Sequence, residues 1–530
     1  MARTLLLLLF TALQAAAAPR EDLVALAREW REFQRPPRVD GVPDYGRKAM
    51  SAQAQALPRW RARLDTVDTS GFTLVQKDDL ALLRAEMMGL DFDHRVLSPW
   101  TRDPAFYVTV FDEQSDQPAR EGEWADAATE LWALSFPLSP PAEASLLGQL
   151  SVIPPLLAQA KRNLTGNGED LWTMASGPIR EQRTALEHLR PRVSGSPKLV
   201  AAVDAALSAT TEYGAWVASQ AKTRRGPSGV GVEHYDWYLA NVALVPFTWS
   251  ELVVLMEREL DRARAGLAEE ELRNRGLPPL EPATTVEEHQ RRFDEALKTY
   301  LAFLRKNDFI TWYPWMEQAF AVFPGGFDPK PPLEFFSEVE ARDPMPLRLH
   351  LWHFVDLAAM EKLPPASPIR RLPPLYNIFN TRTEGVATAL EELMMHAGLY
   401  DGRPRGRELI YVMLAQRAAR AMGDLRMHAN QWTLEQASAF ASSNTPRGWL
   451  RLDGRTVRGE QHLFLRRPSY GTSYIVGKAQ LDQLIARTSG GRPLPMKALL
   501  DGLLRIGPLP MSLVQKELEA ELGVPRTAPK

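Results

Sequence analysis

The chain has 530 residues, 45% of them hydrophobic and 24% charged, with a formal net charge of −2. This is the composition of an ordinary globular protein large enough for two or three lobes. The near-neutral balance gives no electrostatic case for nucleic acid or an anionic membrane as partner, and the absence of cysteine excludes disulfides and a lipid anchor on cysteine.

The first residues, "MARTLLLLLFTALQAAAAPRED", place one arginine before about ten apolar residues and an A-x-A stretch. This pattern predicts a signal peptide over residues 1–18 and a secreted or periplasmic mature chain. No later apolar run approaches the ~18 residues of a membrane span. "NLT" at Asn163 is a glycosylation sequon, relevant only in a eukaryotic secretory pathway. Most of the chain after residue 18 reads as helix. "AFYVTVF" (Ala105 to Phe111) and "GEQHLFLRR" (Gly459 to Arg467) are the candidate strands. Ser250 to Gly276 predicts a helix with Ser250 as cap, and "EEHQRRFDEALKTYLAFLRKN" predicts another. "FPGGFDPKPPLEFF" (Phe323 to Phe336) marks a junction between an N-terminal helical lobe, 19–330, and a C-terminal lobe, 331–530. Thr433 and Gln436 have capping-box spacing. Walker, Rossmann and G-x-S-x-G signatures are absent.

Five of the nine histidines lie between 350 and 462. In "LRLHLWHFVDLAAMEKLP" (Leu347 to Pro364), read as one helix, His350 and His353 are neighbours at i, i+3. They fit either a satisfied core pair or two metal ligands. Catalytic zinc usually takes three protein ligands and a water. Glu384, on the helix "TEGVATALEEL", is the natural third, and Asp356 is placed to orient an imidazole. On that second helix Glu384 and Glu391 share a stripe, as do Glu392 and His396. Nearer the C-terminus, Arg420, Asp424 and His428 recur at i, i+4 and i+8 with Arg417 close by. They form either a buried network with Asp424 ionised or an ordinary ion-pair ladder. Tyr470, Tyr474 and Lys478 have the same spacing, and a tyrosine hydroxyl can stabilise an oxyanion beside a metal.

These pieces in this order resemble the domain-of-unknown-function 885 family, helical proteins related to gluzincin zinc peptidases, over residues from about 20 to about 525. "TEGVATALEELMMHAGLYD" is similar to its "EGWALYAEQL" segment, and "RAARAMGDLRMHANQWTLEQA" to "RAARLVVDTGLHAKGWTREQA". The resemblance implies a mainly α, multi-helix gluzincin-like metallopeptidase architecture with a small β-sheet and a deep central cleft. It implies zinc and a peptide or small amide substrate. The departure falls at the zinc helix, where the family reads approximately "HEAVPGHHLQIALAQELP". Its first His and its Glu stand against Leu347 and Arg348, while His353 and Glu384 keep their places.

Two histories fit. In one, His350 replaces the lost ligand, so that His350, His353 and Glu384 bind zinc. Glu391 or Glu392 then acts as base, and Tyr474 and His428 stabilise the oxyanion. In the other, Arg348 fills the metal space and the protein is a pseudopeptidase that binds peptide without cutting. On an ideal helix His350 and His353 lie about 60° apart, and Arg348 and His353 about 140° apart, which favours the first.

Overall fold

The computed structural model describes residues 22–118, 123–322, 327–371, 378–489 and 493–524. The signal-like segment 1–18 lies outside the described residues, as do positions 323–326 of the predicted junction.

The described chain is mainly helical, and its β-structure is two pairs of two-residue strands. Arg38–Val39 pairs antiparallel with Val42–Pro43, and Val110–Phe111 pairs parallel with Thr129–Glu130. Both predicted strands need correction. Ala105 to Phe111 begins in a short 3-10 turn, Pro104–Tyr107, and is strand only at its end, Val110–Phe111. Gly459 to Arg467 belongs almost wholly to a helix, in which His462, Phe464 and Leu465 are buried and Leu463 and Arg466 half-buried.

Seven helices build and brace the candidate site: α1 Trp249–Arg273, α2 Met345–His350, α3 Trp352–Lys362, α4 Asn380–His396, α5 Gly406–His428, α6 Arg455–Arg466 and α7 Tyr470–Ser489. The cap of α1 is Thr248, two residues before the predicted Ser250. Thr248 and Glu251 form a reciprocal capping box. The predicted box at Thr433 and Gln436 is present.

A large apolar core runs from Leu82 to Leu518 and draws on elements from both sides of position 330. A second core gathers residues between Tyr45 and Val217. In the larger one, α4 and α5 are buried along nearly their whole length. Such helices cannot leave charged groups unmatched, because a buried unpaired charge costs several kcal/mol. The alanines of "LAQRAARAMG" let α1 pack closely along α5. Where α4 crosses α7, Gly385 faces Gly477 with no room for a side chain. A Cβ on Gly477 would lie 1.7 Å from the Thr381 carbonyl oxygen. That crossing sets Glu384 of α4 against Tyr470 of α7.

Candidate metal centre

The helix predicted from Leu347 to Lys362 is two helices. It breaks at Leu351, whose ψ of 14° leaves the helical range. α2 ends with His350 and α3 starts beside His353. Their rings lie 4.9 Å apart, nearly perpendicular, and both face Glu384. His353 Nε2 is 3.4 Å and His350 Nε2 is 3.6 Å from Glu384 Oε2. One ligand atom from each residue lies within 4.8 Å of the others. Metal bonds of ~2.0–2.1 Å in tetrahedral geometry put neighbouring ligand atoms roughly 3.4 Å apart. These two gaps have that size.

The surroundings hold the cluster in place. Glu384 Oε1 accepts hydrogen bonds from the Tyr470 hydroxyl (2.7 Å) and from Gln117 Nε2 (2.8 Å). The side-chain amide oxygen of Gln117 accepts in turn from the Thr383 hydroxyl at 2.8 Å. Oε2 is thereby turned to the histidines. It is buried without a hydrogen-bond partner, and so are both ring nitrogens of His353. His350 Nδ1 lies 3.1 Å from Glu391 Oε1 and 3.1 Å from Arg417 Nη2. A carboxylate behind an imidazole fixes the tautomer that presents the other nitrogen to a cation. Tyr474 stacks parallel to the His350 ring at 6.3 Å.

Burial pulls the His353 pKa down, but the Glu384 and Asp116 carboxylates outweigh it and push the imidazole up to about 9. Burial likewise opposes ionisation of Glu384, yet His353 and His350 hold its carboxyl well below the usual carboxylate range. A cation at the cluster would take the place of these protons. Buried orphan atoms at ligand spacing, backed by a second layer of hydrogen-bonded groups, fit a zinc-class metal.

Other predicted residues fall elsewhere. Arg348 does not approach Glu384. It is buried, pairs with Glu340 at 3.3 Å and lies 3.8 Å over the Phe293 ring. The history in which a guanidinium fills the metal space is therefore not the one the structure shows. Asp356 does not orient an imidazole, because both its oxygens accept from Arg382 at 2.9 Å. Glu391 is held by two hydrogen bonds from Arg417, at 2.6 and 2.7 Å. Glu392 faces away, bound by Arg262 at 2.7 and 2.9 Å and by Lys478 at 3.1 Å; against the opposing effect of burial, His396, Arg262 and Lys478 hold it far below the usual range. Lys478 also binds Asp482, and His396 is exposed beside Glu392.

Of the stripe of Arg420, Asp424 and His428, the last two meet, with His428 Nε2 3.7 Å from Asp424 Oδ1, while Arg420 turns to another partner. Arg420 pairs with Glu460 and lies 4.3 Å over the Tyr474 ring. Asp424 caps the start of α7, accepting from the Thr472 N–H at 3.1 Å. Burial pushes its carboxyl up to about 8, against the expected ionised state. His428 bonds the Phe464 carbonyl at 3.0 Å and is pushed down to about 3 by burial. It takes no place beside Glu384 and so stabilises no oxyanion there.

Sequence reasoning missed Gln117, Thr383 and Asp116. Gln117 lies 267 positions from Glu384 on an irregular loop, where periodicity carries no signal. It also forms part of the wall of a cavity of about 520 Å³ lined by Trp132, Trp315, Phe354 and Lys362. Among the described residues no helix is long and apolar enough to cross a membrane.

The model of a family described as "Bacterial protein of unknown function (DUF885)" matches residues 353–518. The match begins at His353, just after the altered motif, and includes Glu384 but not His350. Among curated proteins none matches. Two solved structures share the fold over 94% of this chain. A candidate lipoprotein of unknown function from Shewanella oneidensis is 16% identical, with 97% of its chain covered and a TM-score of 0.65. A candidate lipoprotein from Colwellia psychrerythraea is 13% identical, with 99% covered and a TM-score of 0.65. The family model thus covers the C-terminal third, and likeness in fold extends over most of the chain.

Proposed function

We propose that His350, His353 and Glu384 hold a zinc-class divalent cation, and that the protein is an exported, gluzincin-like metallohydrolase of a peptide or related amide. The observation that carries this reading is the buried, hydrogen-bond-free Glu384 Oε2, faced by two imidazole nitrogens at metal-ligand spacing. Export is supported by the signal-like start and by the description of both structural neighbours as candidate lipoproteins.

A bound cation would acidify a water and polarise an amide carbonyl. The protein's own groups do the rest. Glu391 and Arg417 fix the His350 ring, and Tyr470 and Gln117 fix Glu384. Tyr474, beside His350, is the group nearest to an oxyanion role. The cavity next to Gln117 is the place for substrate, in a cleft between the N-terminal and C-terminal lobes.

A second reading is a pseudopeptidase that binds peptide without cutting. It is favoured by one observation: both Glu391 and Glu392 are engaged by cations, so neither is free to take a proton from water. Zinc-loaded protein incubated with a mixed peptide pool separates the two by mass spectrometry. We expect new peptide termini that vanish with a chelator and with His353→Ala. Peptides captured by the zinc-loaded protein but left intact would establish the binder instead.

A further inference from the structure

We propose that a basic cavity at the start of α5 binds a small organic molecule through its phosphate group, at a place separate from His350, His353 and Glu384. The cavity has a volume of about 470 Å³, within the ~300–1,000 Å³ of small-molecule pockets. Five arginines line it. Arg291 and Arg292 come from the helix Val286–Lys306, Arg342 from the end of the helix Phe335–Arg342, and Arg403 and Arg405 from the turn before α5. Among the described residues the wall has two carboxylates, Glu295 and Asp343, so five positive groups face two negative ones.

The arginines are held in place. Arg292 donates to Glu288 at 2.6 Å and to the carbonyls of Glu281 and Ala341 at 2.8 and 2.7 Å. Arg405 binds Glu408 at 2.8 and 3.1 Å. Arg342 is tied through Nη1 to Glu338 and packs 4.3 Å over the Trp449 ring. Arg403 is tied through Nη1 to Asp343 at 2.6 Å. Asp343 in turn accepts from the Met345 N–H at 3.0 Å, and a Cβ on Gly406 would lie 2.8 Å from its Oδ2, so the turn before α5 is seated tightly on it.

Arg342 and Arg403 each spend Nη1 alone. Their Nε and Nη2 atoms make no hydrogen bond among the described residues. Nε and Nη2 form the edge of a guanidinium that grips two oxygens of one anion. Two such edges on one cavity supply four donors, a number suited to the several charged oxygens of a phosphate. Glu288, Glu338 and Glu408 offset part of the positive charge, but none of them lines the cavity, and their pull on an occupant falls with distance. Leu277, Pro278 and Leu280 line the same space, and Leu277 is 43% exposed. An organic group beside the phosphate would cover this apolar wall.

Calorimetric titration of the full chain with phenyl phosphate and with inorganic phosphate tests this. The chain is first stripped of metal and dialysed free of chelator, so that no cation at His353 draws the anion. Phenyl phosphate should bind at one per chain and more tightly than inorganic phosphate. Arg342→Gln and Arg403→Gln should each weaken it by about tenfold or more. Arg190→Gln, at an exposed arginine away from the cavity, should not. Thermal melts report whether each variant folds. If Arg403→Gln unfolds because Asp343 is left buried without its partner, Arg342→Gln decides, since its partner Glu338 is more exposed than Asp343. A wild-type chain that binds neither probe saturably at millimolar concentration would overturn the proposal. So would unchanged phenyl phosphate affinity in a folded Arg342→Gln chain. Equal affinity for the two probes would also overturn it and leave an adventitious ion only.

Discussion

Replacing Gly477 by alanine should leave little folded protein. The added Cβ would meet the Thr381 carbonyl oxygen at 1.7 Å and Gly385 Cα at 2.7 Å. Both obstacles are backbone, so no side chain can rotate away, and α4 and α7 must separate. Overpacking usually costs about 1–3 kcal/mol where side chains can adjust, and the cost here lies at or beyond the top of that range. The separation would also pull Tyr470 from Glu384, now bonded at 2.7 Å. Soluble yield and thermal unfolding check this. Gly459→Ala is the comparison, because nothing lies within 4 Å of a Cβ there. In a helix interior that exchange stabilises by up to ~1 kcal/mol. A Gly477→Ala chain that melts with wild type would show that the two helices are not in contact at this point.

Arg417→Met should be the next most damaging change. Arg417 and Glu391 are 1% and 2% exposed, and the variant leaves a buried carboxylate facing no guanidinium. Breaking a buried pair from one side costs on the order of 3–5 kcal/mol. The double variant Arg417→Met with Glu391→Gln removes both charges and should recover most of that loss. Arg190→Met is the control, since its pair with Asp204 is half exposed and its melt should barely move. Denaturant unfolding of the four chains decides the matter. Equal stability of wild type and Arg417→Met would mean that solvent reaches the pair and that Glu391 does not brace His350.

The helices were legible in the sequence because apolar periodicity and caps are local signals. His350 and His353 were singled out as near neighbours in sequence and Glu384 from a second helix, and the structure sets all three together although the first two lie on separate helices. The break at Leu351 left no trace, since apolar residues continue through it on both sides. The stripe of Arg420, Asp424 and His428 was placed on one helix correctly, but spacing along a helix does not say which neighbour each charge will meet across it. Arg420 met Glu460 on α6, a segment read as strand. Arg348 was seen as a rival for the metal space because Glu340 and Phe293, which claim it, lie on other elements. Asp116 and Gln117 reach the site from a loop whose path depends on tertiary packing, and no residue pattern in the loop announces it.

If three side chains meet to hold one metal ion, the metal content of the purified chain must show it. After zinc loading and removal of free metal, plasma mass spectrometry should find about one zinc per chain, the ratio set by a single three-ligand site. His350→Ala and His353→Ala should each abolish it, and Glu384→Gln should weaken it. Arg348→Met should keep the full complement, because Arg348 is turned toward Glu340. A wild-type chain that emerges free of zinc, or one that holds zinc equally well without His353 and Glu384, would rule out the three-residue metal site.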